Sequence, residues 1–499
     1  MTVKTRRRHW SWGSGAWILS AAPWLLMVLV VLELANGLGA AWLRWEVTTT
    51  WNPAFLEGLS WWHGQLSLPY RLWDTAYLAE IDKVYNVFPP LQSIIGFLAT
   101  APLQWTPEAP QLVEMRVLPL LLFGVPLPIV GYVVFYRRVG GKIADYSEPG
   151  RPRPRLRIAN PSPTPGRGGA PSGKRQNAKT PKCQPSIVNR QLLWAAVLTL
   201  GWLGGTAVLP CIQEARHGGV HHINHLLSQV GLLLLAGELV GRRRIGVALI
   251  GLLIACWSRQ MTGLYGVALL VVAWQTETSK RRESTGETPV PQSGRNLGLL
   301  TVMPGYVRRM VVAVIGLAVI AAVPMGLNWA KFGSPLESGY ELIYVDRDHE
   351  LARDARAHGL WSPKFIARNA YYMNAAIPWG FTEDGGLGWR PSEHGTSIWL
   401  TTPLLAFVLL GAGAWWREVP ARTLMLCSVP LICILLLYHG TGRLQYGYWR
   451  FALDFIPVWL VVGGCWLTTG WRRYATLGCV AWSVTYFAML GRWDEVMRV

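Results

Sequence analysis

The sequence predicts an all-α polytopic membrane protein, a bundle of about 10–12 transmembrane helices with two long outer loops. Three observations lead there. Apolar runs recur along the 499 residues, at Ala16–Leu34, Leu192–Leu209, Leu226–Val240, Met310–Leu327, Ile398–Ala414 and Phe455–Leu467. Several reach or approach the roughly 18–20 residues that cross a ~30 Å hydrocarbon core. The chain is 51% hydrophobic, and that content lies in continuous runs rather than in the amphipathic stripes of a soluble domain. Finally, the net charge of +19 is concentrated in three flanking segments: +4 in residues 1–10, +11 in 137–190 and +3 in 275–309.

That placement excludes a nucleic-acid reading, because no basic face interleaved with aromatics is left over. It fits instead the accumulation of Lys and Arg in cytoplasmic loops. The seven cysteines stand singly, with no C-x-x-C pair, so neither a disulfide framework nor a zinc pattern is visible. The N-terminal apolar stretch is too long for a typical signal peptide and reads as an uncleaved first span. "GGAPSGKR", Gly168–Arg175, nearly spells a phosphate-cradling P-loop, but Arg175 takes the Ser/Thr position and no buried strand precedes it.

The elements follow in order. Residues 1–136 hold the first span, an acidic outer segment over 37–112 and a return through Val113–Tyr136. Residues 137–187 form a basic linker rich in Pro, Gly and Ser, expected to be disordered. Membrane helices occupy 188–275, with Ile245–Cys256 and Leu264–Trp274 as half-length pieces of a hairpin around "WSRQMTG". A second basic linker covers 276–309. The remainder, 310–499, holds Met310–Leu327, the outer loop 329–396 and the runs Ile398–Trp415, Thr423–Tyr438, Phe455–Leu467 and Ala475–Leu490. The loop's acids outnumber its bases by nine to seven. This alternation leaves every basic linker on the cytoplasmic side if Gln92–Leu103 is a re-entrant or surface-lying helix rather than a span.

Four polar groups interrupt the apolar pattern. Glu46, Asp74, Glu80, Asp82 and Lys83 precede the Pro89–Pro90 break. Charge beside a bilayer is costly, so such a cluster marks a site, and a carboxylate there suits a general base acting on a hydroxyl. In "EARHGGVHHINHLL", His221 and His225 stand at i,i+4, a metal-ligand spacing, with interfacial capping as the plainer alternative. Lys364 and Arg368 lie among aromatics suited to lipid headgroups. In "GYWRFALDFIP", Arg450 and Asp454 are placed to pair at i,i+4. Arg259, in the turn of the short hairpin, suits an anionic ligand near the membrane surface, against a plainer reading as a snorkelling side chain.

In sequence order these segments resemble the GT-C fold of polyprenyl-phosphate-sugar-dependent glycosyltransferases, and most of all the bacterial relatives of the dolichyl-phosphate-mannose protein mannosyltransferases. The likeness rests on "LEGLSWWHGQLSLP" (Leu56–Pro69) and on Asp74 followed by Tyr85 and Pro89–Pro90. It rests further on "ACWSRQMTG", on "NWAKFGSPLESGY" (Asn328–Tyr340), on "RNAYY" (Arg368–Tyr372) and on "RFALDFIP" (Arg450–Pro457). It implies a membrane transferase working outside the cytoplasmic membrane, with a cytoplasmic N-terminus. The donor would be a lipid-linked sugar, with membrane lipids as further partners, no nucleic acid, and an inverting mechanism in which a divalent metal is optional.

Two departures redistribute the roles. Thr48–Pro53 lacks the acidic pair common in relatives, and Phe88 replaces the lysine that often precedes "PP". The base then falls to Asp74, or second to Asp82, and donor contacts to Lys83, Tyr85, Arg259, Arg368 and Arg450. Two rival readings are a lipid-linked saccharide transporter and a catalytically silent scaffold of the same fold. A transporter would bury acids and cations in mid-bundle, whereas the central spans here carry almost none.

Overall fold

The computed structural model describes residues 52–72, 74–101, 126–146, 185–215, 220–275, 305–381, 385–441 and 447–497. The expected first span, Glu46 and most of both basic linkers lie outside them. The described chain is mostly helical, and three of its helices are long and apolar enough to cross a membrane: His221–Val240, Gly305–Phe332 and Val419–Leu437. Its strands form two small antiparallel hairpins, β1 (Thr75–Leu78) with β2 (Lys83–Asn86), and β3 (Trp379–Phe381) with β4 (Leu387–Trp389). The expected all-α class is therefore corrected at these two places.

The chain begins its described course with α1 (Pro53–Trp62), started by Asn52, whose side-chain oxygen accepts from the amides of Ala54 and Phe55. After the β1–β2 hairpin comes α2 (Leu91–Thr100), which lies against α1. Glycine makes that approach possible: a Cβ on Gly58 would sit 2.3 Å from the Phe97 amide nitrogen. Ten residues of helix rise only ~15 Å, about half the hydrocarbon thickness. The segment expected over Gln92–Leu103 is thus a short helix docked on its neighbour.

Helices α3 (Pro126–Tyr146) and α4 (Pro185–Leu203) pack on each other. α3 runs past the boundary expected at residue 137, because Arg138 belongs to the bundle. Its guanidinium donates to the carbonyls of Val461 and Val462 and pairs with Glu418 at 3.2 Å. The run expected as one span over Leu192–Leu209 is divided, with α5 (Val208–Ala215) starting after a break.

α6 (Val220–Val240) is the central column. It touches α3, α5 and α7 (Ile245–Cys256), and later α15 (Val419–Leu437), the 3-10 turn Arg450–Asp454 and α16 (Ile456–Leu467). Its polar start "VHHINH" is helical and buried, so the helix begins before the apolar run at Leu226. α6 and α7 meet through glycines, since a Cβ on Gly231 would lie 2.4 Å from the Ala255 nitrogen. Small residues allow such backbone contact between apolar helices.

The expected short hairpin is present as α7, a 3-10 turn at Gln260–Tyr265 and α8 (Gly266–Gln275), leaning on α9 (Gly305–Phe332). Pro324 sits inside α9 and has no N–H for the Ile320 carbonyl four residues earlier. The Trp257 indole donates to that carbonyl at 2.9 Å, which anchors the hairpin turn to the proline site. Much of α9 stays uncovered, with Val312, Val314, Ile315, Val319 and Trp329 exposed.

Residues 333–397 then form an irregular unit with α10 (Glu350–His358), α11 (Ile366–Asn374) and the β3–β4 hairpin. The single span expected at Ile398–Trp415 is three short helices: α12 (Ile398–Thr401), α13 (Leu404–Leu410) and α14 (Ala412–Trp415). They are divided at Thr402–Pro403 and at Gly411, where a Cβ would meet the Trp466 ring at 2.7 Å. α15, α16 and α17 (Arg472–Met497) complete the molecule.

Candidate functional site: an arginine-lined cavity beside the long apolar helix

A cavity of about 1050 Å³ opens where the β1–β2 hairpin, the start of α6, the α7–α8 turn, α9 and the loop after it converge. Its polar wall carries Asp74, His221, Arg259, Arg347 and Arg450 together with Tyr340, Tyr344 and Tyr438. Its opposite wall is apolar, made of Ile320, Ala321, Pro324 and Met325 from α9, with Leu336 beyond.

Asp74 stands immediately before β1 and is about one-quarter exposed. One carboxylate oxygen lies 3.4 Å from His221 Nε2 and the other 3.5 Å from an Arg347 guanidinium nitrogen. Burial raises the Asp74 pKa, but hydrogen bonding and charge from His221, with the charge of Arg347, outweigh it. The carboxyl is therefore held below its usual range and is ionised at neutral pH.

Arg259 is fixed by a different acid. It lies at the start of the Gln260–Tyr265 turn and reaches Asp454 with two nitrogens, at 2.8 and 3.2 Å. Asp454 is fully buried and also lies 3.4 Å from His225 Nδ1. A two-pronged guanidinium–carboxylate pair of this kind is rigid as well as strong. The turn itself is tied to the "PP" segment, because the Leu91 amide donates to the Trp257 carbonyl at 3.0 Å. Local structure thus joins two motifs 170 residues apart in sequence into one rim.

The expected pairing of Arg450 with Asp454 is replaced. Arg450–Asp454 is a 3-10 turn, where about three residues complete a revolution, so i and i+4 diverge. Arg450 instead approaches His222 Nε2 at 3.4 Å and stacks over Phe451, while Asp454 turns inward to Arg259.

Of the residues singled out from sequence, Asp74, Arg259, Arg450 and His221 meet at the cavity. Asp82 and Lys83 do not; they occupy the β1–β2 turn, exposed, where Asp82 adopts φ 50° and accepts from the Tyr77 hydroxyl. A tight two-strand turn directs them away from the wall. Tyr85 is buried edge-on to Phe332 and supports the hairpin from behind. Arg368 belongs to α11, where it donates to Asp354 at 2.7 Å and to the His439 carbonyl at 2.6 Å. Lys364, which shares its sequence segment, is exposed and contacts His358. His221 and His225 share a helical face, yet each meets a separate carboxylate, Asp74 and Asp454. Among the described residues no group of three or more His, Cys, Asp or Glu side chains is placed to hold a metal ion.

Arg347, His439 and the three tyrosines escaped the sequence reading. Arg347 lies in "YVDRDHE", a charge run with no periodic signal, whereas Tyr340 closes the Asn328–Tyr340 motif. Tyr438 and His439 end an apolar helix, where they look like interfacial residues.

His439 forms part of the wall and carries a pH signature. Burial, reinforced by the Arg368 charge, pushes its pKa from 6.5 down to about 4. Between those values the unfolded chain binds a proton that the folded chain refuses, so stability falls as pH drops from 6.5 towards 4. The loss reaches about 3 kcal/mol when the window is fully crossed. Thermal midpoints in detergent at pH 7 and pH 4.5 are expected to converge in His439→Gln relative to the native protein. An unchanged acid-induced drop in the variant would refute this assignment.

No family model, curated protein or solved structure matches the chain.

Proposed function

We propose that the protein is an integral membrane glycosyltransferase that moves a sugar from a polyprenyl-phosphate donor to an acceptor at the outer face of the cytoplasmic membrane. The observation that carries this reading is the division of one cavity into a cationic wall and an apolar wall. Arg259, Arg347 and Arg450 against the single acid Asp74, among the described lining residues, make an anion the fitting ligand. The α9 surface at Ile320–Met325 continues into exposed apolar side chains of a helix long enough to cross a bilayer, a path suited to a prenyl chain. A ligand with a phosphate head and a hydrocarbon tail satisfies both walls at once.

Asp74 is the group for proton abstraction. With one carboxylate lining the cavity, a single displacement with inversion is favoured over a double displacement, which needs a second carboxylate as nucleophile. The resemblance in motif order supports the same assignment. Its missing lysine is accounted for, since Phe88 packs edge-on to His221 and Tyr340 while the arginines bring the positive charge. A bundle of about 10–12 spans with the N-terminus in the cytoplasm is the matching topology.

Purified protein in vesicles, given a labelled polyprenyl-phosphate hexose and an envelope acceptor fraction, is expected to release polyprenyl phosphate and to label the acceptor. Movement of the intact donor across the vesicle without sugar release would place the chain with the lipid-linked saccharide transporters instead.

A further inference from the structure

We propose that Arg347 is an exchangeable cation, paired with Asp74 until a ligand phosphate draws it away, so that donor binding itself makes the carboxylate available as a base. The inference rests on the preceding reading of the cavity as a site for a phosphorylated lipid.

The cavity's arginines differ in how firmly they are held. Arg259 grips the buried Asp454 with two nitrogens at 2.8 and 3.2 Å. Its attachment is internal to the wall, and a ligand would have to strip a charge from a fully buried carboxylate to use it differently. Arg347 contacts Asp74 through one nitrogen at 3.5 Å, well outside the 2.7–2.9 Å typical of a tight charge-assisted bond. Both partners line the cavity, and the Asp74 side chain is 28% exposed, so an arriving anion can reach the pair.

The backbone under Arg347 is nevertheless well anchored. Its neighbour Asp346 pairs with Arg71 at 2.8 Å, and the Arg356 guanidinium donates to the carbonyls of Tyr344 and of Arg347 itself. The His349 side chain caps α10 by accepting from the Ala352 amide. With the main chain held, exchange is a side-chain swing rather than the opening of a loop.

The chemistry gives the swing a purpose. A carboxylate paired with a guanidinium is a poor base, because the pair lowers its affinity for a proton. In the transfer step the acceptor oxygen forms a bond to the anomeric carbon while its proton passes to Asp74. The bond between that carbon and the phosphate oxygen breaks, and its electron pair stays on the phosphate. Negative charge therefore leaves Asp74 and gathers on the leaving phosphate, the same direction in which Arg347 moves. A cation that follows the charge stabilises the transition state more than the ground state.

The test is a binding cycle with farnesyl phosphate, read by calorimetry on the full-length protein in detergent. Asp74→Asn is expected to tighten binding about tenfold when Arg347 is present, because the competitor for the guanidinium is gone. In the Arg347→Gln background the same change is expected to tighten binding less than about twofold, leaving only relief of carboxylate–phosphate repulsion. Equal tightening in both backgrounds overturns the exchange while leaving the anionic-lipid site intact. Failure of the native protein to bind farnesyl phosphate overturns both readings. If the glutamine variant does not fold, Arg347→Met keeps the packing of the stem and repeats the cycle with the same criteria.

Discussion

Asp74→Asn is expected to lower sugar transfer by about 10²- to 10⁴-fold, the range that a positioned general base contributes. Asparagine is nearly the same size and keeps a hydrogen-bond acceptor for His221 and Arg347, so the hairpin retains its place while the proton acceptor is lost. Membrane abundance and the thermal midpoint should therefore match those of the native protein, and the loss should fall on kcat. Asp82→Asn is the internal contrast. Its side chain is exposed at the β1–β2 turn and bonded to Tyr77, away from the cavity wall, so transfer should stay within about twofold, as for a surface substitution. Turnover by Asp74→Asn at the native rate would remove Asp74 as the base, and a comparable loss in Asp82→Asn would move the chemistry to the hairpin turn.

The largest effect on stability is expected from Lys331→Met. Lys331 comes from the last turn of α9, is buried, and pairs with the fully buried Glu57 of α1. The same glutamate accepts from the Ser93 hydroxyl of α2 and from the Asn86 side chain of β2, while Lys331 also donates to the Asn86 carbonyl at 3.0 Å. Four segments are tied at one ion pair. Removing the lysine leaves a carboxylate buried without its counter-charge, which costs roughly 3–5 kcal/mol in comparable pairs. Neutralising both partners, as Glu57→Gln with Lys331→Met, should restore most of that loss, because glutamine still accepts from Ser93 and Asn86. The check is denaturation in detergent of the two single variants and the double variant. Additive losses would show that the pair is not coupled. Because the network holds the hairpin that presents Asp74, the single variant should also lose transfer at temperatures where it remains folded.

Much of this molecule could be read from patterns within a window of twenty residues. The apolar runs gave α15, α16 and the hairpin of α7 and α8 nearly to the residue, since continuous hydrophobicity is a local property that survives folding unchanged. Breaks inside such runs were harder. Pro403 and Gly411 divide one expected span into three short helices, and the Gly411 break follows from the Trp466 ring filling the space a side chain would need. The β hairpins were missed because three- and four-residue strands carry almost no periodic signal.

For the site, residue type and motif order pointed to Asp74, Arg259 and Arg450, which the cavity brings together with His221. Partnership was not legible. The sequence offered Arg450 as the companion of Asp454 by spacing alone, and a 3-10 turn gave that carboxylate to Arg259, 195 residues away. Likewise, the spacing of His221 and His225 suggested a shared ligand, whereas each was claimed by a separate aspartate from a distant segment. Arg347 had no signal at all before the loop after α9 folded across the hairpin.

The sequence by itself determined a mostly helical chain with membrane-crossing stretches, and the segment Leu72–Leu98 where polar chemistry gathers, because hydrophobicity and residue type are written locally. Only the tertiary structure decided which charge faces which. Ion pairing depends on distance in space, and the closing of the hairpin, the α7–α8 turn and the loop after α9 around one cavity sets those distances. That closure separated Asp74, a reachable carboxylate with loosely held partners, from Asp454, a buried strut, and from Asp82, a solvated turn.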